Sequence, residues 1–301
     1  MALSDSFERA RSTYTRGGIT TAIIFLPPAL VLFTVFVMLP IGEAAWYGFF
    51  NWNGLGWPQK FVGLDNFEQL FANKVFHRAL INTGLIIAVS LLIQLPLALG
   101  MAVLLSDRRI GAVTFRMIFF LPYILADVAA GLIWRYMFDG DYGLVSQASV
   151  ALGGPPIYLL ASTDYAFAGV LIVIVWKYFG FHMMLYIAGM QSIDRHLYEA
   201  AAIDGANAWQ RFRYVTLPGL APMIRLSVFF SLIGSLQVFD VVRALTFDGG
   251  PLNTTHTLVS FLYIFGITRM RVGFGSAIGI VIFILCVVVA FSYKRIFMRH
   301  D

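Results

Sequence analysis

Residues 275–293, GSAIGIVIFILCVVVAFSY, carry no charged side chain, and the nearest charges on either side are Arg271 and Lys294. At 1.5 Å of rise per helical residue, such a stretch crosses about 30 Å of hydrocarbon. Five more apolar stretches long enough to span, three of them with a few charges, lie upstream, near 19–41, 81–105, 115–138, 165–189 and 218–242, and the sixth extends to 275–297. The 301-residue chain as a whole is 59% hydrophobic and only 12% charged, against about 25% charged in soluble domains. A water-soluble globule is excluded, and disordered, extracellular and nucleic-acid-binding classes go with it. The fold class expected is all-α, a polytopic membrane protein with six transmembrane helices. A further apolar piece, Leu258 to Ile267, is too short to span and is expected to lie along the interface or fold back into protein.

The net charge of +5 matters less than where the charges fall. With the N-terminus inside, the inner segments hold Arg9, Arg11, Arg16, Arg108, Arg109, Arg116, Arg195, Arg211, Arg213, Arg225, Lys294, Arg295 and Arg299. The outer segments hold Lys60, Lys74, Arg78, Arg135, Arg243, Arg269 and Arg271, which leaves Lys177 within a span. Thirteen against seven puts both termini in the cytoplasm. The loop between spans three and four, with Asp139, Asp141 and Asp164 and no cation, reads as external. Arg9, Arg11 and Arg16 precede an apolar run longer than a signal-peptide core, with no small-residue cleavage site behind it. Residues 1–18 are therefore read as a cytoplasmic segment and 19–301 as the membrane domain. Cys286 is the only cysteine, so no disulfide can form within the chain.

One inner loop, 194–218, is more than a connector. Asp194 suits an N-cap, Glu199-Ala200-Ala201-Ala202 has high helix propensity, and Gly205 allows a bend between two short helices. Residue chemistry alone leaves two readings: a projecting helical hairpin, or a connector flat on the inner leaflet with Trp209 and Phe212 in the headgroups and Arg211 and Arg213 against anionic lipid.

The spacing Glu199-Ala200-Ala201, three residues, Gly205, nine residues, Val215-Thr216-Leu217-Pro218 resembles the EAA loop of binding-protein-dependent ABC importer permeases, with Val215 in place of the more usual Ile. The resemblance covers roughly residues 23 to 299 and narrows to the carbohydrate-uptake, maltose-type branch. It is carried also by Phe61-Val62-Gly63-Leu64-Asp65-Asn66-Phe67, by Asn82-Thr83, and by Phe115-Arg116 through Leu121-Pro122-Tyr123. Ile203-Asp204-Gly205-Ala206 and Phe239-Asp240, Thr246 and Gly249-Gly250-Pro251 complete it. The resemblance implies a coupling helix in the cytoplasm between spans four and five, docked on an ATPase, with Glu199, Ala200, Ala201, Asp204, Gly205, Leu217 and Pro218 as the coupling residues. It implies a bacterial inner-membrane location and several partners. These are a second, unlike permease subunit, two cytoplasmic ATP-binding subunits that hold ATP and Mg, a periplasmic or lipid-anchored solute-binding protein, and membrane lipid. No nucleic acid is implied.

This chain itself has no Gly-x-x-x-x-Gly-Lys loop to cradle phosphate, and no cofactor or catalytic residue is expected in it. His77, His182, His196, His256 and His300 are scattered without metal-ligand spacing. Ser231 or Ser235 with His182 could be drawn as a hydrolase, but serines four apart in a membrane helix pack helices together. An ion-coupled secondary carrier needs intramembrane acids, and Asp127 and Asp240 are few for that task.

Candidates for a substrate path lie in spans three, four and five. Tyr178, His182 and Tyr186 fall at i, i+4 and i+8, on one stripe of span four. Aromatic faces suit the apolar faces of sugar rings, yet rings packed against neighbouring helices fit the pattern equally. Trp176 and Lys177 lie beside the stripe, and a charge at mid-span must face protein or water. Asp127 stands where the family usually has an uncharged residue, and either pairs with Lys177 or meets substrate. Ser227, Ser231 and Ser235 share a stripe of span five, followed by Gln237 and Asp240, while Gly275 and Gly279 suggest close packing in span six. A neutral oligosaccharide or polyol is the first expectation. Lys177 and His182 leave an anionic sugar derivative or glycerophosphate-like solute as the alternative.

Overall fold

The computed structural model describes residues 21, 23–106, 111–247 and 249–297. The segment 1–18 with Arg9, Arg11 and Arg16, the start of the first span, and Arg108, Arg109, Arg299 and His300 lie outside the described residues. The described chain is nearly all helix. Helix α1 (Ile23–Tyr47) leads through a two-residue antiparallel pair, β1 (Phe50–Asn51) with β2 (Lys60–Phe61), to α2 (Asp65–Ala72) and α3 (Lys74–Leu105). Then follow α4 (Ala112–Ile124), α5 (Asp127–Met137), α6 (Leu144–Ala151) and α7 (Ala166–Gln191). The remainder is α8 (Arg195–Ile203), α9 (Ala208–Gly219), α10 (Ala221–Gln237), α11 (Asp240–Thr246), α12 (Leu258–Thr268) and α13 (Val272–Phe297). Four helices, α1, α3, α7 and α13, are each long and apolar enough to cross a membrane.

The other two expected spans are not straight. The stretch expected as one helix over 115–138 is instead α4 and α5, bent by 100° at Leu125–Ala126, both extended. The stretch 218–242 is bent by 65° between α9 and α10, and α10 ends at Gln237, short of the expected 242. Leu258 to Ile267 falls in α12, whose Leu258, Phe261, Ile264 and Phe265 are buried, so this piece folds back into protein.

Proline shapes the rest. Three π-helical turns each end two residues before a proline: Thr34–Met38 before Pro40, Ser90–Gln94 before Pro96, and Phe212–Thr216 before Pro218. A prolyl ring collides with the carbonyl four residues back and gives it no N–H, so the helix widens there and continues.

Helix α7 is the centre of the bundle, with 56% of its most apolar window buried, whereas the corresponding window of α1 is 0% buried and faces outward throughout. The C-terminal half of α3 and one side of α4 pack on α7. Gly180 makes the second contact close, since a Cβ there would fall 2.0 Å from the Phe119 carbonyl oxygen. Several family-resembling residues turn out to satisfy loose backbone. Asn66 Nδ2 donates to the Gly48 and Phe50 carbonyls, both at 2.9 Å. Asn82 Nδ2 donates to Thr254 (2.7 Å) and His256 (2.9 Å), pinning the irregular segment before α12 to α3. Arg116 Nε donates to the Leu105 carbonyl at 2.9 Å, near the end of α3. Buried carbonyls without partners are expensive, which is why such side chains recur at breaks.

Candidate functional site

The bend between α4 and α5 leaves carbonyls without helical partners deep in an apolar bundle. Lys177, only 1% exposed, takes them up. Its ammonium donates to Leu125 (2.6 Å) and Pro122 (3.3 Å) and forms an ion pair with Asp127 Oδ1 at 2.9 Å. Three donors meet three oxygens, so of the two readings of Asp127 and Lys177 the ion pair is the one present. The other Asp127 oxygen accepts from the Tyr178 hydroxyl at 3.1 Å.

Next to this knot lies a cavity of about 520 Å³, walled by α3, α4, α5, α7, α10 and α11. Of the sequence candidates it gathers Asp127, Tyr178, His182, Ser231, Gln237 and Asp240. Trp176 is elsewhere, edge-on to Trp134 at 5.4 Å. Lys177 is consumed below the surface of the cavity. Tyr186, the third member of the stripe, is 1% exposed and donates to Ser227 Oγ at 2.9 Å. The same Ser227 oxygen lies 2.6 Å from His182 Nδ1, so Ser227 anchors His182 and Tyr186 and is not part of the cavity wall. The stripe thus divides, two members lining and one packing.

Further wall residues include Ser90 and Gln94 in the π turn of α3, Tyr123, Phe181 and Phe230, with Gly234 and Ser235 beside Ser231. Tyr123 stacks on Phe181 at 4.9 Å, and Phe181 meets Phe230 edge-on at 5.9 Å, which makes a broad aromatic surface. The signal available was a polar pair, Ser90 and Gln94, inside an otherwise apolar span just before Pro96. Gln94 Oε1 and Ser231 Oγ are buried and have no partner among the described residues. An unfilled acceptor in such a place costs about 1–3 kcal/mol, and both belong to residues that line the cavity. Aromatic faces beside scattered hydrogen-bonding groups suit a sugar ring better than a lipid or an ion. No group of three or more metal-ligating side chains occurs among the described residues.

Beyond the C-terminal end of α7, the loop 194–218 forms the expected pair of short helices. Asp194 Oδ1 accepts from the His196 N–H at 2.9 Å and caps α8. Gly205, at φ +76°, turns the chain in a conformation a side chain rarely adopts. Asn207 and Gln210 then start α9 with a reciprocal capping box. Glu199, Ala200, Asp204, Gly205 and Pro218 are exposed, Ala201 and Leu217 partly so. In the loop read as external, Tyr158 donates to Asp141 at 2.7 Å, and that carboxylate raises the phenol above its ordinary range.

Residues 94–300 match the family described as binding-protein-dependent transport system inner membrane component. The chain belongs to that family. Relatives of this inner-membrane component include a diacetylchitobiose uptake system permease protein of Streptomyces coelicolor, 34% identical over 286 residues (91% of this chain, 80% of that one). A sulfoquinovosyl glycerol transport system permease protein of Agrobacterium fabrum is 33% identical over 281 residues (93% and 91%). A lactose transport system permease protein of Rhizobium radiobacter is 34% identical over 297 residues (97% and 98%). Among solved structures, a chain of a bacterial ABC transporter involved in importing the acidic polysaccharide alginate superposes with a TM-score of 0.82 at 23% identity, covering 97% of this chain and 99% of that one. The inner-membrane component therefore shares that chain's fold.

Proposed function

We propose that this chain is a permease subunit of an ATP-driven importer for a neutral sugar, oligosaccharide or polyol, and that the cavity beside Asp127 is its half of the path. The substrates named for the relatives, diacetylchitobiose, sulfoquinovosyl glycerol and lactose, support the sugar class. One observation supports the neutral choice: the cation nearest the path, Lys177, is fully engaged by Leu125, Pro122 and Asp127. No Lys or Arg lines the cavity among the described residues, and Asp240 leaves it acidic. An anionic sugar derivative would need its cation from the second permease subunit.

In this reading α4 with α5, and α9 with α10, each count as one span. That gives six spans with both termini in the cytoplasm and residues 19–301 as the membrane domain. The helix α8 docks on one of two ATPase subunits, which carry ATP and Mg. Glu199 offers a charge to the partner, Ala200 and Ala201 allow close approach, and Asp204 and Gly205 set the angle at which α9 leaves toward Leu217 and Pro218. ATPase closure draws the two coupling helices together and opens the cavity toward a loaded solute-binding protein.

Affinity purification of the chain in mild detergent, with co-purifying proteins identified by mass spectrometry, tests the assembly. An ATPase and a second permease are expected. Uptake by the chain alone, independent of ATP and abolished by a protonophore, would make it an ion-coupled carrier instead. Competition between a neutral and an anionic sugar in reconstituted vesicles decides the substrate charge.

A further inference from the structure

A second cavity, of about 510 Å³, lies between the ends of α3 and α7 and the α8–α9 hairpin. One wall is apolar, made by Val103 of α3, Ile187 and Met190 of α7 and Phe212 of α9. Two cations also line it, Arg211 of α9 and Arg195 of α8, the second also paired through Nε with Glu199 Oε1 at 3.4 Å on the exposed face of α8. No carboxylate lines the cavity among the described residues. Its hydroxyls are occupied, since Tyr198 and Thr216 bond each other at 3.0 Å and Ser106 donates to Val103. Arg211 Nε is buried and has no partner among the described residues. A guanidinium N–H removed from water and left unpaired is costly, and the group it matches best is a phosphate or carboxylate.

A cavity that sets apolar side chains beside two arginines matches an amphiphile whose charge lies next to its apolar part. We propose that it holds an anionic phospholipid, its phosphate between Arg195 and Arg211 and its glycerol and upper chain against Val103, Ile187 and Met190. A soluble phosphate ester offers the same charge but nothing for the apolar wall, and an acidic side chain of a docked protein offers no more. The bound lipid ties the α8–α9 hairpin to α3 and α7 and so fixes where α8 sits. Which leaflet supplies it rests on reading that hairpin as cytoplasmic.

The test uses the importer purified with its partners and placed in phosphatidylcholine nanodiscs containing phosphatidylglycerol, with retained lipid counted by native mass spectrometry. The parent is expected to keep phosphatidylglycerol, and R211Q and R195Q each to weaken retention by about tenfold, the effect of one lost charged hydrogen bond. R213Q, at an exposed position outside the cavity, is the control and is expected to match the parent. Arg195 is 90% exposed, so R195Q keeps the test open where R211Q disturbs assembly. Four results overturn the proposal: equal retention in all variants, an equal loss in R213Q, displacement of the lipid by inorganic phosphate alone, or retention seen only after the ATPase subunits are stripped away. Retention is measured without sugar or ATP, so it stands or falls separately from the transport reading.

Discussion

Replacing Lys177 with Met keeps the length and bulk of the side chain and removes its three hydrogen bonds. The Leu125 and Pro122 carbonyls then face a dry interior without a donor, at about 1–3 kcal/mol each. Asp127 adds little to that sum, because its side chain is 39% exposed and water can solvate it. A net loss near the middle, about 4 kcal/mol, corresponds to a midpoint lowered by about 8–16 °C at about 2–4 °C per kcal/mol. Asp127→Asn keeps an acceptor oxygen for the ammonium and leaves both carbonyls paired, so its loss is expected to be about 1 kcal/mol, the order of one ordinary hydrogen bond. The assay is thermal unfolding of the detergent-solubilised importer, followed by size-exclusion fluorescence at one scan rate, since such transitions are irreversible. A Lys177→Met protein that melts with the parent refutes the reasoning outright. So does an Asp127→Asn protein that loses as much as Lys177→Met, because the ion pair and not the freed carbonyls would then hold the bend.

Gly205→Val forces a β-branched residue to φ +76°, at about 1–3 kcal/mol of strain, and is expected with Glu199→Ala to leave assembly intact while uptake collapses; full uptake in reconstituted vesicles would remove both residues from coupling. Gln94→Leu and Ser231→Ala delete buried atoms that lack partners, so unfolding midpoints should hold or rise while sugar uptake falls severalfold, and unchanged uptake would place both outside the path. Asn82→Ala orphans the Thr254 and His256 carbonyls, and a stability loss of about 2–4 kcal/mol is expected as a lowered midpoint; a midpoint equal to the parent's would show that the segment holds without α3.

Much of the fold could be read along the chain because membrane helices are specified locally. The apolar runs near 81–105, 165–189 and 275–297 correspond to α3, α7 and α13, each extended by a few residues. Asp194 as a cap and Gly205 as a turn are likewise visible, since each acts on backbone within a few residues of itself. The bend at Leu125–Ala126 was not legible. Neither residue is a glycine or proline, Pro122 sits three positions earlier, and the side chain that makes the break tolerable comes from Lys177, some fifty residues on. The stripe of Tyr178, His182 and Tyr186 was legible as a stripe but not as a lining, because helical periodicity says which residues share a face and not what that face meets.

The sequence by itself determined that this is a nearly all-helical membrane chain, where the two short helices between Asp194 and Pro218 lie, and which few polar residues sit within apolar spans. Composition, hydrophobic run length and cap chemistry act over one or two helical turns, so they are readable locally. Only the tertiary structure decided that Lys177 belongs to the bend and not to the cavity, that Tyr186 packs while Tyr178 lines, and that Ser90 and Gln94 join the wall. Those outcomes depend on which buried donor reaches which loose carbonyl across the bundle, a matter of a few ångströms that no spacing along the chain encodes.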